Sequence, residues 1–154
     1  MKKIVLMMCA MAMLMSLCAC EAKGFDKKDM SLSEYDGVAV NELVQMFIKQ
    51  KTVTDATEQV TLFIENLSDK DFSFDAASRL EVNIDGSWYL IPPKSDAMTM
   101  QLYHLTANGS EETVFNFAGN YDKLPEGSYR IVKLFVDTEG NQALAEAQFS
   151  IRRG

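Results

Sequence analysis

The sequence predicts an all-β domain built as a sandwich of two antiparallel sheets, and three observations carry that prediction. From Gly37 onward apolar and polar residues alternate at period 2. Turn-forming residues interrupt the alternation at short intervals. No stretch sustains a long helical spacing. Eight or nine short strands over roughly 115 residues, with one wet and one dry face along each, are what two packed antiparallel sheets require.

The elements follow in order. Val38 and Val40, then Val44, Met46 and Ile48, alternate with Asn41, Gln45 and Lys49. Leu43, Val44 and Phe47 also fit a helical spacing, but Val, Phe and Ile favour a strand, and Thr52-Val53-Thr54 continues the β-prone texture. Val60, Leu62 and Ile64 alternate against Thr61 and Glu65, with Phe63 breaking the pattern. Asn66-Leu67-Ser68-Asp69 supplies a turn, because these polar side chains bond the local backbone. Phe72 and Phe74 open the next strand, and Leu80, Val82 and Ile84 share a face of another. Asp85-Gly86 then predicts a tight hairpin, since Gly accepts positive φ without steric cost. The return strand, Trp88 to Ile91, stops at Pro92-Pro93, which cannot donate to a ladder. Met98 to Leu105, Thr113 to Phe117, Tyr129 to Val136 and Ala143 to Ile151 complete the set. In the last of these Ala147, Phe149 and Ile151 point one way, and Glu146, Gln148, Ser150 and Arg152 the other. In the hairpin, Trp88 and Leu90 share one face and Tyr89 and Ile91 the other. Trp88 and Leu90 are expected to pack inward, which leaves Tyr89 facing solvent.

The first twenty residues carry a different kind of information. Met1-Lys2-Lys3 is a positive n-region, Ile4 to about Leu17 an apolar h-region, and Ala19 a small residue at a cleavage point. A spanning helix needs about 20 apolar residues; this stretch contains Ser16 and gives way to Glu21, Lys23 and Asp26. Leu17-Cys18-Ala19-Cys20 resembles the lipobox of bacterial lipoproteins, which implies cleavage before Cys20 and a diacylglyceryl group on its thiol. The expected organisation is a signal peptide over 1–19, a lipidated N-terminus and flexible tether over 20–37, and the sandwich over 38–154. A coil of about 16 residues would reach on the order of 20 Å from the membrane. All three cysteines (Cys9, Cys18, Cys20) lie in or at the end of the signal. The mature domain therefore has no disulfide and must hold together by its core. Without Lys2 and Lys3 it carries 13 basic against 22 acidic side chains, a net charge of −9. That balance speaks against nucleic acid as a partner, because phosphate affinity comes from clustered Lys and Arg.

At Leu124-Pro125-Glu126-Gly127-Ser128-Tyr129 a more specific likeness emerges. Gly127 two residues before Tyr129, which opens a strand, resembles the tyrosine corner, in which the phenol hydroxyl bonds backbone upstream. With Glu65 to Asp69, Asp85 to Tyr89, Ile91-Pro92-Pro93 and Tyr129 to Lys133, the chain resembles a bacterial immunoglobulin-like domain of exported proteins and lipoproteins. The resemblance implies an immunoglobulin-like β-sandwich with Tyr129 and Gly127 as a structural corner, and it brings no catalytic residues. Such domains act as spacers, adhesion modules and binding modules. The chain departs from the pattern in two ways: it has no Cys pair between the sheets, and Glu126 stands where a second Pro is expected.

Candidate chemistry is sparse. His104 is the single His and has no nucleophile and orienter placed to make a triad with it. No Gly-x-Ser-x-Gly elbow occurs. Asp69, Asp71 and Asp75 lack the Gly and terminal Glu of a calcium loop and read as a solvated turn. Glu111 and Glu112 are adjacent in a strand and point to opposite faces. Asn66-Leu67-Ser68 and Asn108-Gly109-Ser110 match the glycosylation triplet and are read as chance. No cofactor or metal is implied. Tyr89 and Tyr103 remain as candidate partner contacts, since Tyr is enriched at binding hot spots. The expected function is a noncatalytic, lipid-anchored envelope module that binds a protein or glycan or acts as a spacer. The alternative is an accessory or inhibitory lipoprotein acting on an envelope peptidase or hydrolase.

Overall fold

A computed structural model describes residues 24–95 and 101–154. Among them a short 3-10 turn, Lys27–Asp29, precedes eleven strands: β1 (Ser31–Leu32), β2 (Val44–Ile48), β3 (Val53–Thr54), β4 (Gln59–Asn66), β5 (Phe72–Asp75), β6 (Arg79–Ile84), β7 (Ser87–Leu90), β8 (Leu102–Leu105), β9 (Ser110–Asn116), β10 (Gly127–Asp137) and β11 (Gln142–Arg152). One helical turn, α1 (Phe117–Asn120), lies between β9 and β10. The larger sheet runs β1-β7-β6-β10-β11-β3, and the smaller β2-β4-β9. β6 pairs with the first part of β10, at Tyr129 to Val132, and β5 takes over that edge at Val136 and Asp137, with β8 beyond it. Pairing is antiparallel except for β3, which lies parallel to the end of β11. The chain thus begins at the edge of the larger sheet with β1, passes to the smaller with β2 and returns to the larger with β3.

Period-2 alternation decides which side chains fill the space between the sheets. Val60, Leu62 and Ile64 of β4 are fully buried, as are Tyr129, Ile131 and Phe135 of β10. On β11 the residues opposite Ile131, Lys133 and Phe135 are Ala147, Ala145 and Ala143, so small side chains meet large ones and the layer closes. Burying each large aliphatic side chain contributes about 1.5–3 kcal/mol, and this core replaces the missing disulfide. The Asp85-Gly86 hairpin forms as predicted: both central residues have positive φ, 54° and 89°, the combination of a type I′ turn. The Asn83 side chain accepts the Gly86 N–H at 3.1 Å.

Several expectations need correction. Residues 24–37 are not a free tether. Phe25 and Met30 pack against the core, β1 pairs with β7, and Ser33 N–H donates to Trp88 O at 2.8 Å. The sequence signal is weak because two-residue strands carry no periodicity. Val38 and Val40 are exposed and lie outside the strands. Phe117 does not end a strand but begins α1, capped by the Asn116 side chain, which accepts from Gly119 N–H at 2.8 Å. Part of the predicted Met98 to Leu105 strand lies outside the described residues; the observed part begins at Leu102. Finally, the faces of β7 are the reverse of those expected. Tyr89 stands opposite Val82, which in turn stands opposite Tyr129, so all three share the core side. Trp88, opposite Asn83, faces away.

Candidate functional site

The outer face of the larger sheet holds the most elaborate polar arrangement. Glu81 and Arg130 are neighbours across β6 and β10, and their side chains are almost wholly buried. Arg130 Nε donates to Glu81 at 2.6 Å, Nη1 to Glu146 at 2.7 Å and Nη2 to Tyr35 O at 3.2 Å. Ser33 Oγ donates to the other Glu81 oxygen at 2.5 Å. The Arg130 guanidinium lies 4.6 Å from the Trp88 ring centroid, a cation–π contact. This explains why Trp88 faces outward: its indole covers a paired charge that the core could not accept. Residues 33–36 close over the network, with Asp36 accepting the Trp88 N–H at 2.9 Å. Among the described residues no buried side-chain nitrogen or oxygen lacks a hydrogen-bond partner, and the face is a structural lock rather than an open site.

Lys133 is the second buried cation. It lies on the core side of β10, where β6 has left the edge and β5 has not yet joined, and its ammonium donates to Asp75 O at 2.8 Å and Ala77 O at 2.7 Å. Burial pushes its pKa down to about 8 against a raising pull from Asp75. At the turn between β10 and β11, Asp137 accepts from Glu139 N–H, Asn141 N–H, the Asn141 amide and Lys70. These bonds, led by that from the Asn141 side chain, hold its carboxyl well below the usual range although its burial opposes them.

At the other end of β10, Gly127 is buried and starts the strand, and Tyr129 is fully buried. Its hydroxyl donates to Pro125 O at 2.5 Å, and burial raises its pKa. Nearby Tyr121 is pushed up to about 12 by burial, which outweighs a lowering bond with Leu80 backbone. A cavity of about 360 Å³ opens beside them, bordered by Thr54, Lys94, Phe117, Tyr121 and Leu124.

A model of the bacterial Ig-like domain matches residues 40–150. The chain belongs to this family. Among curated proteins none matches the sequence. Among solved structures the Ig-like domain is similar to a structural genomics target, SoR45, at 12% identity and TM-score 0.48, covering 75% of this chain and 90% of that one. It is also similar to the archaellum periplasmic stator complex of FlaF and FlaG from Sulfolobus acidocaldarius, at 12% identity and TM-score 0.39, covering 77% and 96%. A CARDB domain from Pyrococcus furiosus, solved with di-metal ions, matches at 16% identity and TM-score 0.35, covering 83% and 98%.

The residues singled out from the sequence are scattered over this Ig-like domain. Cys20 lies outside the described residues. Tyr89 is half-buried and packs against the core rather than facing solvent as expected, whereas Tyr103 is 38% exposed and stacks on Phe74 with ring centroids 5.3 Å apart. Leu102 beside it is exposed, as is His104 on the opposite face. Asp71 accepts the Ala107 N–H at 2.8 Å, which ties two turns together. Asn66 is buried, and its amide donates to Lys70 O and Thr106 O. Among the described residues no group of three or more His, Cys, Asp or Glu could hold a metal ion, and no helix is long and apolar enough to cross a membrane.

One surface was missed. On the outer face of the smaller sheet Phe47 pairs with Phe63 across β2 and β4, with ring centroids 5.0 Å apart. Phe47 is 47% exposed, and Val114, opposite Thr61 on β9, 57%. Lys49 and Glu112 form an ion pair at 2.5 Å at its rim. The signal was Phe63, the residue that broke the alternation of β4.

Proposed function

We propose that this Ig-like domain is a noncatalytic, lipid-anchored module of the cell envelope that binds a protein partner through the outer face of its smaller sheet. The single observation that carries the binding role is the strip in which Phe47 and Val114 are exposed and Phe63 half-buried, on the face of the smaller sheet turned away from the core cluster. A row of apolar side chains on a face that alternation would make polar suits an interface centre, and the Lys49–Glu112 pair suits its polar rim. Phenylalanine offers no hydroxyl or amide, so the strip fits apolar side chains of a protein better than a hydroxyl-rich glycan. The anchoring role rests on the Lys2-Lys3, apolar and Cys20 order at the N-terminus. Two acyl chains make such attachment stable where one is marginal.

Cross-linking the membrane-bound protein in its own cells and identifying what it captures tests the reading. Phe47→Ser gives up a cross-strand aromatic pair, a cost of about 0.2–1 kcal/mol, and should leave a folded domain that loses its partner. Recovery of the same partners at the same yield would refute the assignment of the strip. Cys20→Ser should leave the membrane fraction or remain unprocessed; cleavage before residue 20 with retention in membranes would refute the anchor.

A further inference from the structure

The order of residues 24–30 changes how far the domain stands from its anchor. A Cβ placed at Gly24 would lie 3.1 Å from the Pro125 ring, Phe25 packs against the core, and Asp26 accepts the Lys28 N–H at 3.0 Å. Lys27 then pairs with Asp85 at the hairpin tip, at 2.5 Å. The chain is therefore part of the domain from Gly24 onward. Four residue steps separate Gly24 from Cys20, and a fully extended chain covers at most about 14 Å in four steps.

We infer that the end of the sandwich at Gly24 and Pro125 is held against the headgroup layer of the membrane, and that the turns at 66–71, 106–109 and 137–141 point away from it. The inference rests on the proposed lipidation of Cys20. The strand register places the features of the near end together: Gly127 opens β10 opposite Ile151 near the end of β11, and β6 runs toward its hairpin tip in the same direction. Arg153 N–H donates to Glu126 at 2.8 Å and Gly154 N–H to Asp55 at 3.0 Å, so the C-terminus closes this end as well. β10 has 11 residues and spans about 35 Å, more than twice the longest reach of the link. With the sandwich upright on its near end, the far turns therefore lie beyond the headgroups. Lys27, Lys94 and Lys123 are engaged with Asp85, Asp122 and Asp55 at the near end. The strip of Phe47 and Val114 then lies on a side wall, open to a partner that approaches parallel to the membrane.

The test uses the full chain, processed in cells and reconstituted in vesicles that contain a lipid with a short-range nitroxide quencher on its headgroup. Asp122→Cys and Glu139→Cys each supply a labelling thiol, at side chains 96% and 68% exposed. A fluorophore at position 122 should be quenched several-fold more strongly than one at 139. Inserting 16 Gly/Ser residues between Lys23 and Gly24 should bring the two close together. Equal quenching without the insert, or stronger quenching at 139, would overturn the orientation even with the anchor in place. The mass of the N-terminal peptide reports the anchor separately: a Cys20 without acyl chains would overturn the lipidation and the orientation with it.

Discussion

Lys133 provides the sharpest test of the core. It is 3% exposed and its ammonium caps two carbonyls, Asp75 O at the end of β5 and Ala77 O just beyond it, 5.1 Å from the Phe74 ring centroid. Burial brings its pKa to about 8, from 10.5 in the unfolded chain. Between those values the unfolded chain binds the proton that the folded chain has released, so stability rises with pH. From pH 8 to pH 9.5 the rise is about 1.5 kcal/mol. Above that window Tyr121 and Tyr129 act in the opposite sense. Burial raises both in the folded state, the unfolded phenols lose their protons first, and stability falls. Urea denaturation of the wild type and Lys133→Met at pH 8 and 9.5 isolates the lysine, because every other titration is common to both. The stability of the wild type relative to the variant should increase by about 1.5 kcal/mol across the window. Parallel behaviour of the two proteins would refute the reasoning, and so would a Lys133 side chain that titrates near 10.5 by NMR in the wild type, which needs no variant.

Three further outcomes follow from the packing. Arg130→Met should cost about 3–5 kcal/mol in urea denaturation, because it leaves Glu81 buried without its cation; Arg130→Met with Glu81→Leu should cost less, and a double variant worse than the single would refute the lock. Tyr129→Phe removes the bond to Pro125 O and should cost about 1 kcal/mol, so an unchanged thermal midpoint would argue against the corner. Trp88→Ala should cost about 1–2 kcal/mol, a cation–π contact and partial packing; a loss in the 3–5 kcal/mol range of an emptied core site would restore the inward reading.

The sequence by itself determined the fold class, the positions of most strands, the Asp85-Gly86 hairpin and the likeness to an Ig-like domain. Those features are local: alternation is a property of neighbouring residues, and a type I′ turn needs two of them. It pointed to Tyr129, because a Gly two positions before a strand-opening Tyr is also a local pattern, and its bond to Pro125 spans only four residues. Tertiary structure decided which way each face points. A period-2 strand says that Trp88 and Tyr89 oppose one another but not which meets the core; that depends on Val82 and Tyr129 from other strands, and on Arg130, 42 positions later, offering its guanidinium to the indole. The ordering of residues 24–36 was illegible for the same reason. Ser33, Tyr35 and Asp36 have no pattern of their own, and what holds them is a set of partners on β6, β7 and β10 that comes together when the sheet forms. The Phe47 and Phe63 strip shows the same limit, since alternation alone treats an outward aromatic as a defect, and only the pairing of β2, β4 and β9 brings Phe47, Phe63 and Val114 onto one outer face.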